Sequence, residues 1–322
     1  MKRVLITGVT GFVGSHMADY ILNNTNDKIY ATKRWMEDTK NVDHLINHSH
    51  FNFIDCDLLD GMSVQRAVEI SKPDKVFHFA AQSFPEVSFK IPVITLQTNI
   101  IGTTHLLEAI KNSEFNPTIV SVSSSEVYGM PEEDEIPIKE TNPIRPANPY
   151  SISKVGHDFM SQYYYKAYDM KIIITRMFSH EGSRRGKEFA LSSFAYQIAN
   201  AEKSESSFDW NVLHGNLNSV RTYNHIDDAI EAYWLCSESD RYGEVYNIGG
   251  DYTCTVGDAL DMLISKSEKP MVKCLDEERV RLTDITLQIP DSSKFREHFD
   301  WKPKKNLNDI CDDLLRYWRK IV

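Results

Sequence analysis

The chain has 322 residues, a quarter of them charged, and a formal net charge of -10. That balance gives nucleic acid and anionic membranes no general electrostatic reason to bind, so a phosphate ligand would need a local basic pocket. The five cysteines, Cys56, Cys236, Cys254, Cys274 and Cys311, are scattered and form no Cys-x-x-Cys pair, which reads as reduced thiols rather than zinc or a redox centre.

Short β-branched runs alternate with segments of helical period through the first half, the pattern of a parallel sheet covered on both faces. Strands are expected at 3–7 (RVLIT), 28–32 (KIYAT), 51–54 (FNFI), 75–79 (KVFHF), 118–122 (TIVSV) and 171–176 (KIIITR), with helices at about 14–24, 61–71, 95–111 and 148–168. This predicts an α/β fold, a six-stranded doubly wound sheet. After Arg176 the rhythm breaks into loops, an isolated element at 244–250 (EVYNIGG) and a helix near 256–266. A terminal helix carries Leu307, Ile310, Leu314 and Trp318 on one stripe. The expected division is a dinucleotide-binding domain over 1–177, with 221–250 returning to it, and a smaller α/β domain for substrate over 178–322. No apolar run suits a membrane span or a signal peptide, and the cytoplasm is the expected location.

The stretch ITGVTGFVGSH places Gly8, Gly11 and Gly14 between the first strand and the first helix. A tight turn, a backbone free of Cβ atoms and helix amides aimed at an anion are what a dinucleotide pyrophosphate requires. At the end of the second strand an acid would favour NAD; the chain instead offers Lys33 and Arg34, which favours NADP, with NAD as the alternative. Asp57, after the third strand, is a candidate for the adenine amino group.

Tyr150 and Lys154 lie four apart on one helical face, where an ammonium favours the phenolate. Upstream, SVSSSEVYG puts Ser124 and Glu126 beyond a strand end. The glycine turn, the strand-end serine and the Tyr/Lys pair together resemble the extended short-chain dehydrogenase/reductase superfamily. FAAQSFPEVSFKIP, SSSEVYG, FSHEGSRRGKEF and HGNLNSVRTYNHIDDA are similar to its nucleotide-sugar branch, closest to GDP-mannose 4,6-dehydratases and related GDP-sugar enzymes.

The resemblance implies a Rossmann domain and a 4-keto-6-deoxy sugar product. Ser124, Tyr150 and Lys154 would serve C4 oxidation, and Glu126 would act as base at C5. In related epimerases and reductases an acid in this slot does no C5 chemistry, so a GDP-sugar 4-reductase, 4-dehydrogenase or 4-epimerase is the alternative. The cofactor contacts expected are Gly8, Thr10, Gly11, Phe12, Val13, Gly14, Lys33, Arg34, Asp57, Leu58, Ala80 and Ala81, besides Tyr150 and Lys154. The GDP-linked sugar is expected at Ser83, Ser124, Ser125, Ser179, Arg184, Arg185, Lys187, Asn216, Arg221 and Arg281, the arginines holding the diphosphate.

Three features depart from the GDP-mannose pattern. Ser179 replaces an Asn, Ser124 replaces a Thr, and Pro85-Glu86 interrupt a segment expected to touch the hexose. The sugar is therefore open: mannose, N-acetylglucosamine or similar. Ile100, Leu106, Leu107, Phe159 and Tyr163 exceed what one sheet face needs, and relatives pair these helices between subunits; a homodimer is expected, with a tetramer as the alternative. No nucleic acid, membrane or metal partner is expected.

Overall fold

The computed structural model describes residues 1–280 and 283–322, so the expected Arg281 contact lies outside the described residues. The first half alternates strands and helices: β1 (Arg3–Thr7), α1 (Phe12–Asn24), β2 (Lys28–Lys33), β3 (Phe51–Asp55), α2 (Gly61–Ser71), β4 (Lys75–His78), α3 (Pro85–Lys90), α4 (Pro92–Leu96), α5 (Gly102–Lys111), β5 (Thr118–Val122), α6 (Pro149–Tyr168) and β6 (Ile172–Met177). A π-helical turn over Gln97–Ile101 joins α4 to α5. The remainder contains β7 (His180–Glu181), α7 (Ala190–Lys203), β8 (Asn211–His214), β9 (Val220–His225), α8 (Ile226–Glu238), β10 (Val245–Ile248), β11 (Tyr252–Thr255), α9 (Val256–Ser265), β12 (Val272–Leu275), β13 (Leu287–Gln288), α10 (Ser293–Phe299) and α11 (Leu307–Ile321).

Two compact units result. The first comprises Met1–Gly129, Pro143–Met177 and Ile230–Tyr246; the second comprises Met130–Asn142, Phe178–Ala229 and Asn247–Val322. The main sheet runs β10-β6-β5-β4-β1-β2-β3. It thus has seven strands rather than six, because the element at 244–250 is not isolated: β10 adds to the outer side of β6. Every residue of β4 and β6 is buried, as expected for parallel strands with both faces covered. Strand order reverses beside β1, and ligands of such sheets bind beyond the carboxyl ends there. The register aligns Thr7 with His78 and His78 with Ser121, a polar row across three adjacent strands.

Leu106 and Leu107 belong to the buried core and do not form a spare apolar face. Phe159 and Tyr163 are half exposed, as are Ile101 and Ile152. In the second unit β11, β9 and β13 form one sheet, with β7 on β9, and β8 pairs with β12. Its core packs α7, α9 and α11 together, and the terminal stripe of Leu307, Ile310, Leu314 and Trp318 is buried there.

Candidate active site

The glycine turn is built for close approach. Gly8 has φ 73°, and a Cβ there would stand 2.8 Å from Ala80 Cα; one at Gly14 would stand 2.3 Å from the Gly8 oxygen. Gly11 caps α1 without a side-chain hydrogen bond, which leaves the first amides of the helix to an anion. Asn41 Nδ2 donates to Thr10 O at 2.9 Å and braces the turn, and Phe12 and Val13 open the helix. A bare backbone cradle at a helix N-terminus fits a dinucleotide pyrophosphate.

Next to it, a cavity of about 470 Å³ is lined by Arg34, Trp35, Glu37, Asp55, Asp57 and Asp60, among others. Lys33 Nζ is 2.6 Å from Asp55 Oδ1, so its charge is already matched. Arg34 bonds Glu37 at 3.3 Å and its side chain is 68 % exposed, against 18 % for Lys33, which makes it the more accessible cation for a 2′-phosphate. Asp57 accepts from Leu59 N at 2.9 Å, and Leu58 is buried beneath α5.

Beyond β5 the chain turns through a 3₁₀ segment over Ser125–Tyr128, with Ser124 Oγ accepting from Glu126 N at 3.2 Å. Buried Arg176 fixes that turn: it forms a two-point pair with Asp158 of α6, at 2.8 and 3.2 Å, and donates to Tyr128 Oη at 2.9 Å. Asn148 caps α6, its Oδ1 accepting from Ser151 N at 2.8 Å, and Pro149 occupies the first turn. The same side chain donates from Nδ2 to Glu126 Oε2 at 3.0 Å. Two turns on, Lys154 Nζ donates to Val122 O at 2.7 Å. These bonds bring Ser124, Glu126 and Lys154 together at the mouth of β5, with Ser125 between the first two and Tyr150 one turn before Lys154 on α6.

Burial lowers Lys154 to about 8, with Asp158 opposing the shift, so the ammonium is near its titration point. Tyr150 is 8 % exposed. Asn148 had escaped the sequence reading, although an Asn-Pro pair opening a helix is a legible cap signal. Asn99, in the π-helical turn, had also escaped it. Its amide spans Gln82, through Gln82 N to Oδ1 at 2.8 Å and Nδ2 to Gln82 O at 2.9 Å, and Ser153 Oγ at 2.8 Å. Ser153 Oγ in turn donates to Tyr150 O at 2.6 Å. Ala80 and Ala81 are partly buried, and Ser83 is exposed. Pro85 starts α3, which puts Glu86 on that helix's outer side, 3.4 Å from Lys90.

The expected diphosphate cations are in the second unit and are more engaged than a solvated basic run. Arg185 Nε is 3.7 Å from Glu181 Oε2, and its guanidinium lies 3.4 Å from the centre of the Phe189 ring. Burial pushes the Glu181 carboxyl up to about 7, with Arg185 pulling it down, so at neutral pH it only partly offsets the arginine. Arg184 has φ 67°, a left-handed backbone uncommon outside glycine. Lys187 Nζ is 5.1 Å from the Tyr196 ring centre. Arg221 is 3.7 Å from Asp284, which also accepts from Asn216 at 2.8 Å. Ser179 O accepts from Asn224 N at 2.9 Å, and burial with the nearby Arg185 charge holds His180 neutral.

A family profile described as GDP-mannose 4,6 dehydratase matches residues 5–314. The chain belongs to that family. It is 31 % identical over 279 residues to a dTDP-D-glucose 4,6-dehydratase of Dictyostelium discoideum, a match spanning 83 % of this chain and 62 % of that protein. It is 26 % identical to a GDP-mannose 4,6-dehydratase of Yersinia enterocolitica, over 98 % of this chain and 93 % of that one. Among solved structures, UDP-glucuronic acid 4-epimerase from Bacillus cereus, in complex with UDP-glucuronic acid and NAD, superposes with a TM-score of 0.88 at 25 % identity, covering 99 % of each chain. The nucleotide-sugar short-chain dehydrogenase/reductase fold expected from the motifs is therefore the fold of this chain. No helix of the described residues is long and apolar enough to cross a membrane.

Proposed function

We propose that this member of the nucleotide-sugar 4,6-dehydratase family acts on a GDP-linked hexose, with NADP preferred to NAD. The observation that carries the reading is the carboxylate of Glu126, oriented by Asn148 at the head of the helix that presents Tyr150 and Lys154. The dinucleotide would be held at Gly8, Thr10, Gly11, Phe12, Val13, Gly14, Arg34, Asp57, Leu58, Ala80 and Ala81, with Lys33 beside it, and its nicotinamide would supply reversible hydride transfer at C4 and C6. Tyr150 takes the C4 hydroxyl proton, and Ser124 hydrogen-bonds the same oxygen. Lys154 lowers the cost of the phenolate by its positive charge. Glu126 removes the C5 proton, which a C4 ketone makes acidic, and delivers a proton to the departing C6 hydroxyl.

Ser83, Ser125, Ser179 and Asn216 are assigned to the sugar nucleotide, and Arg184, Arg185, Lys187 and Arg221 to its diphosphate. Arg185 supports this, because a carboxyl titrating near neutrality leaves it charge to offer. A homodimer through the half-exposed Phe159, Tyr163, Ile101 and Ile152 completes the reading.

The test incubates the purified protein with GDP-mannose, GDP-N-acetylglucosamine and dTDP-glucose, without added reductant, and follows mass. Loss of one water from a GDP-sugar is expected. Glu126→Gln should still reduce bound cofactor but stall before water leaves. Dehydration of dTDP-glucose alone would replace the guanosine assignment, and C4 inversion with the C6 oxygen retained would make the chain an epimerase.

A further inference from the structure

A second group of polar side chains, wholly buried in the first unit, is used by none of the chemistry above. The row Thr7, His78 and Ser121 across β1, β4 and β5 continues onto the covering helices through Thr103 of α5 and His157 and Ser161 of α6. The six are at most 2 % exposed. The rings of His78 and His157 stack with centroids 5.3 Å apart and planes within 7°. Contacts follow in sequence: Thr7 Oγ1 to His78 Nδ1, 2.8 Å; His78 Nε2 to Thr103 Oγ1, 2.9 Å; Thr103 Oγ1 to His157 Nδ1, 2.9 Å; His157 Nε2 to Ser121 Oγ, 2.8 Å; Ser121 Oγ to Ser161 Oγ, 2.7 Å.

Proton counting narrows this chain to two arrangements. Thr103 Oγ1 also donates to Asn99 O at 2.7 Å and Ser161 Oγ to His157 O at 2.9 Å, so seven bonds share the six hydrogens of two neutral imidazoles and four hydroxyls. With the Thr103 hydrogen on Asn99 O, His157 donates from Nδ1 to Thr103 and accepts from Ser121 at Nε2, and the one hydrogen of Ser161 serves either Ser121 or His157 O. With the Thr103 hydrogen on His157 Nδ1, His157 donates from Nε2 to Ser121, and Ser121 donates to Ser161. In both, His78 donates from Nε2 to Thr103 and accepts from Thr7 at Nδ1, and Thr7 Oγ1 accepts from Ala80 N at 3.2 Å. Burial and the neighbouring Lys154 charge keep both rings neutral, His78 down to about 3.

The chain stops at backbone groups, Ala80 N, Asn99 O and His157 O, so it opens on no proton reservoir and is not a relay. It joins the segment expected to line the cofactor, at Ala80, to the helix that carries Tyr150 and Lys154. We propose that His78 and His157, coupled through Thr103, are positioning residues that set the spacing between the cofactor floor and the Tyr150–Lys154 helix. The proposal rests on the reading of that pair as catalytic.

Two measurements test it. Imidazole ¹⁵N spectra of the full chain, with no substrate added, should show His78 with hydrogen on Nε2, His157 neutral, and neither ring titrating from roughly pH 5 to 9, across the usual histidine range. A proton on Nδ1 of His78, or titration of either ring, overturns the proposal whatever the protein turns over. Kinetics on GDP-mannose and dTDP-glucose, normalised to folded protein, should show Thr103→Val lowering kcat roughly 10- to 100-fold with KM unchanged, the scale expected of a misplacement of about 1 Å. Thr103→Ser, which keeps the hydroxyl, should restore it. Wild-type kcat in Thr103→Val beside an inactive Tyr150→Phe refutes the positioning role, whereas an active Tyr150→Phe removes the catalytic reading beneath it.

Discussion

Asn148 links the stability of α6 to the chemistry of Glu126, and one substitution separates the two. Its Oδ1 accepts from Ser151 N at 2.8 Å while its Nδ2 donates to Glu126 Oε2 at 3.0 Å. Asn148→Asp keeps the cap acceptor and replaces the donor with a second carboxylate oxygen. Two unit charges about 3 Å apart repel by about 1.4 kcal/mol in bulk water and about 5.5 kcal/mol at the effective dielectric of a protein surface. Such a pair holds on to one proton, which removes the free carboxylate from the base position. The elimination rate at neutral pH should fall roughly 10²-fold or more, and its acid limb should move to higher pH. The cap itself is kept, because Asp caps helices as well as Asn does, so at acid pH, where the pair is protonated, the melting temperature should match wild type; at neutral pH it should fall, because only the folded state carries the repulsion or the cost of the retained proton. Asn148→Ala should instead lose about 1 kcal/mol at either pH. The assay is water loss by mass spectrometry across pH, alongside thermal unfolding of both variants. A wild-type pH profile in Asn148→Asp would show that the carboxylate this amide orients is not the base.

Three further outcomes are expected. Arg34→Ala should weaken NADPH binding relative to NADH more than Lys33→Ala does, since Asp55 already neutralises Lys33; titration by nucleotide fluorescence measures the ratio. Lys154 falls from 10.5 unfolded to about 8 folded, so between those values the unfolded chain holds more protons and stability rises with pH, by up to about 3 kcal/mol. Urea unfolding from pH 7.5 to 10, approximate limits chosen to bracket that shift, should show the rise, and Lys154→Met should flatten it. As pH climbs through about 7, ionised Glu181 competes with the diphosphate for Arg185, so KM for the sugar nucleotide should increase. In Glu181→Gln that increase should vanish from the KM profile.

Much of the first unit was legible because its signals are local. Each of the six early strands is a short run rich in β-branched or aromatic residues, and every one fell within a residue or so of its expected place. The glycine turn and the Tyr150/Lys154 pair depend on fixed spacings that sequence displays directly. A return of residues 221–250 to the first domain was expected, but β10 was not legible as part of the main sheet, since its run of four residues carries no mark of a partner nearly seventy positions earlier. The pairing of Lys33 with Asp55 and of Arg185 with Glu181 was equally hidden, because charge composition reports neither neighbour nor burial. Nor could the row of Thr7, His78 and Ser121 be seen before the strand register was known.

Residues 230–246 return to the first unit late in the chain, where Lys75 pairs with Glu238, Phe77 and Trp234 stack with centroids 6.2 Å apart, and Ile174 N donates to Glu244 O at 3.0 Å. A nascent polypeptide therefore exposes the flank of β6 as an open hydrogen-bonding edge until that segment leaves the ribosome. A fragment ending after Met177 would keep the same edge permanently, so trimming the protein to a minimal nucleotide-binding piece should yield self-associating material. Excision of the intervening stretch with a short linker back to residue 230 would leave the edge covered.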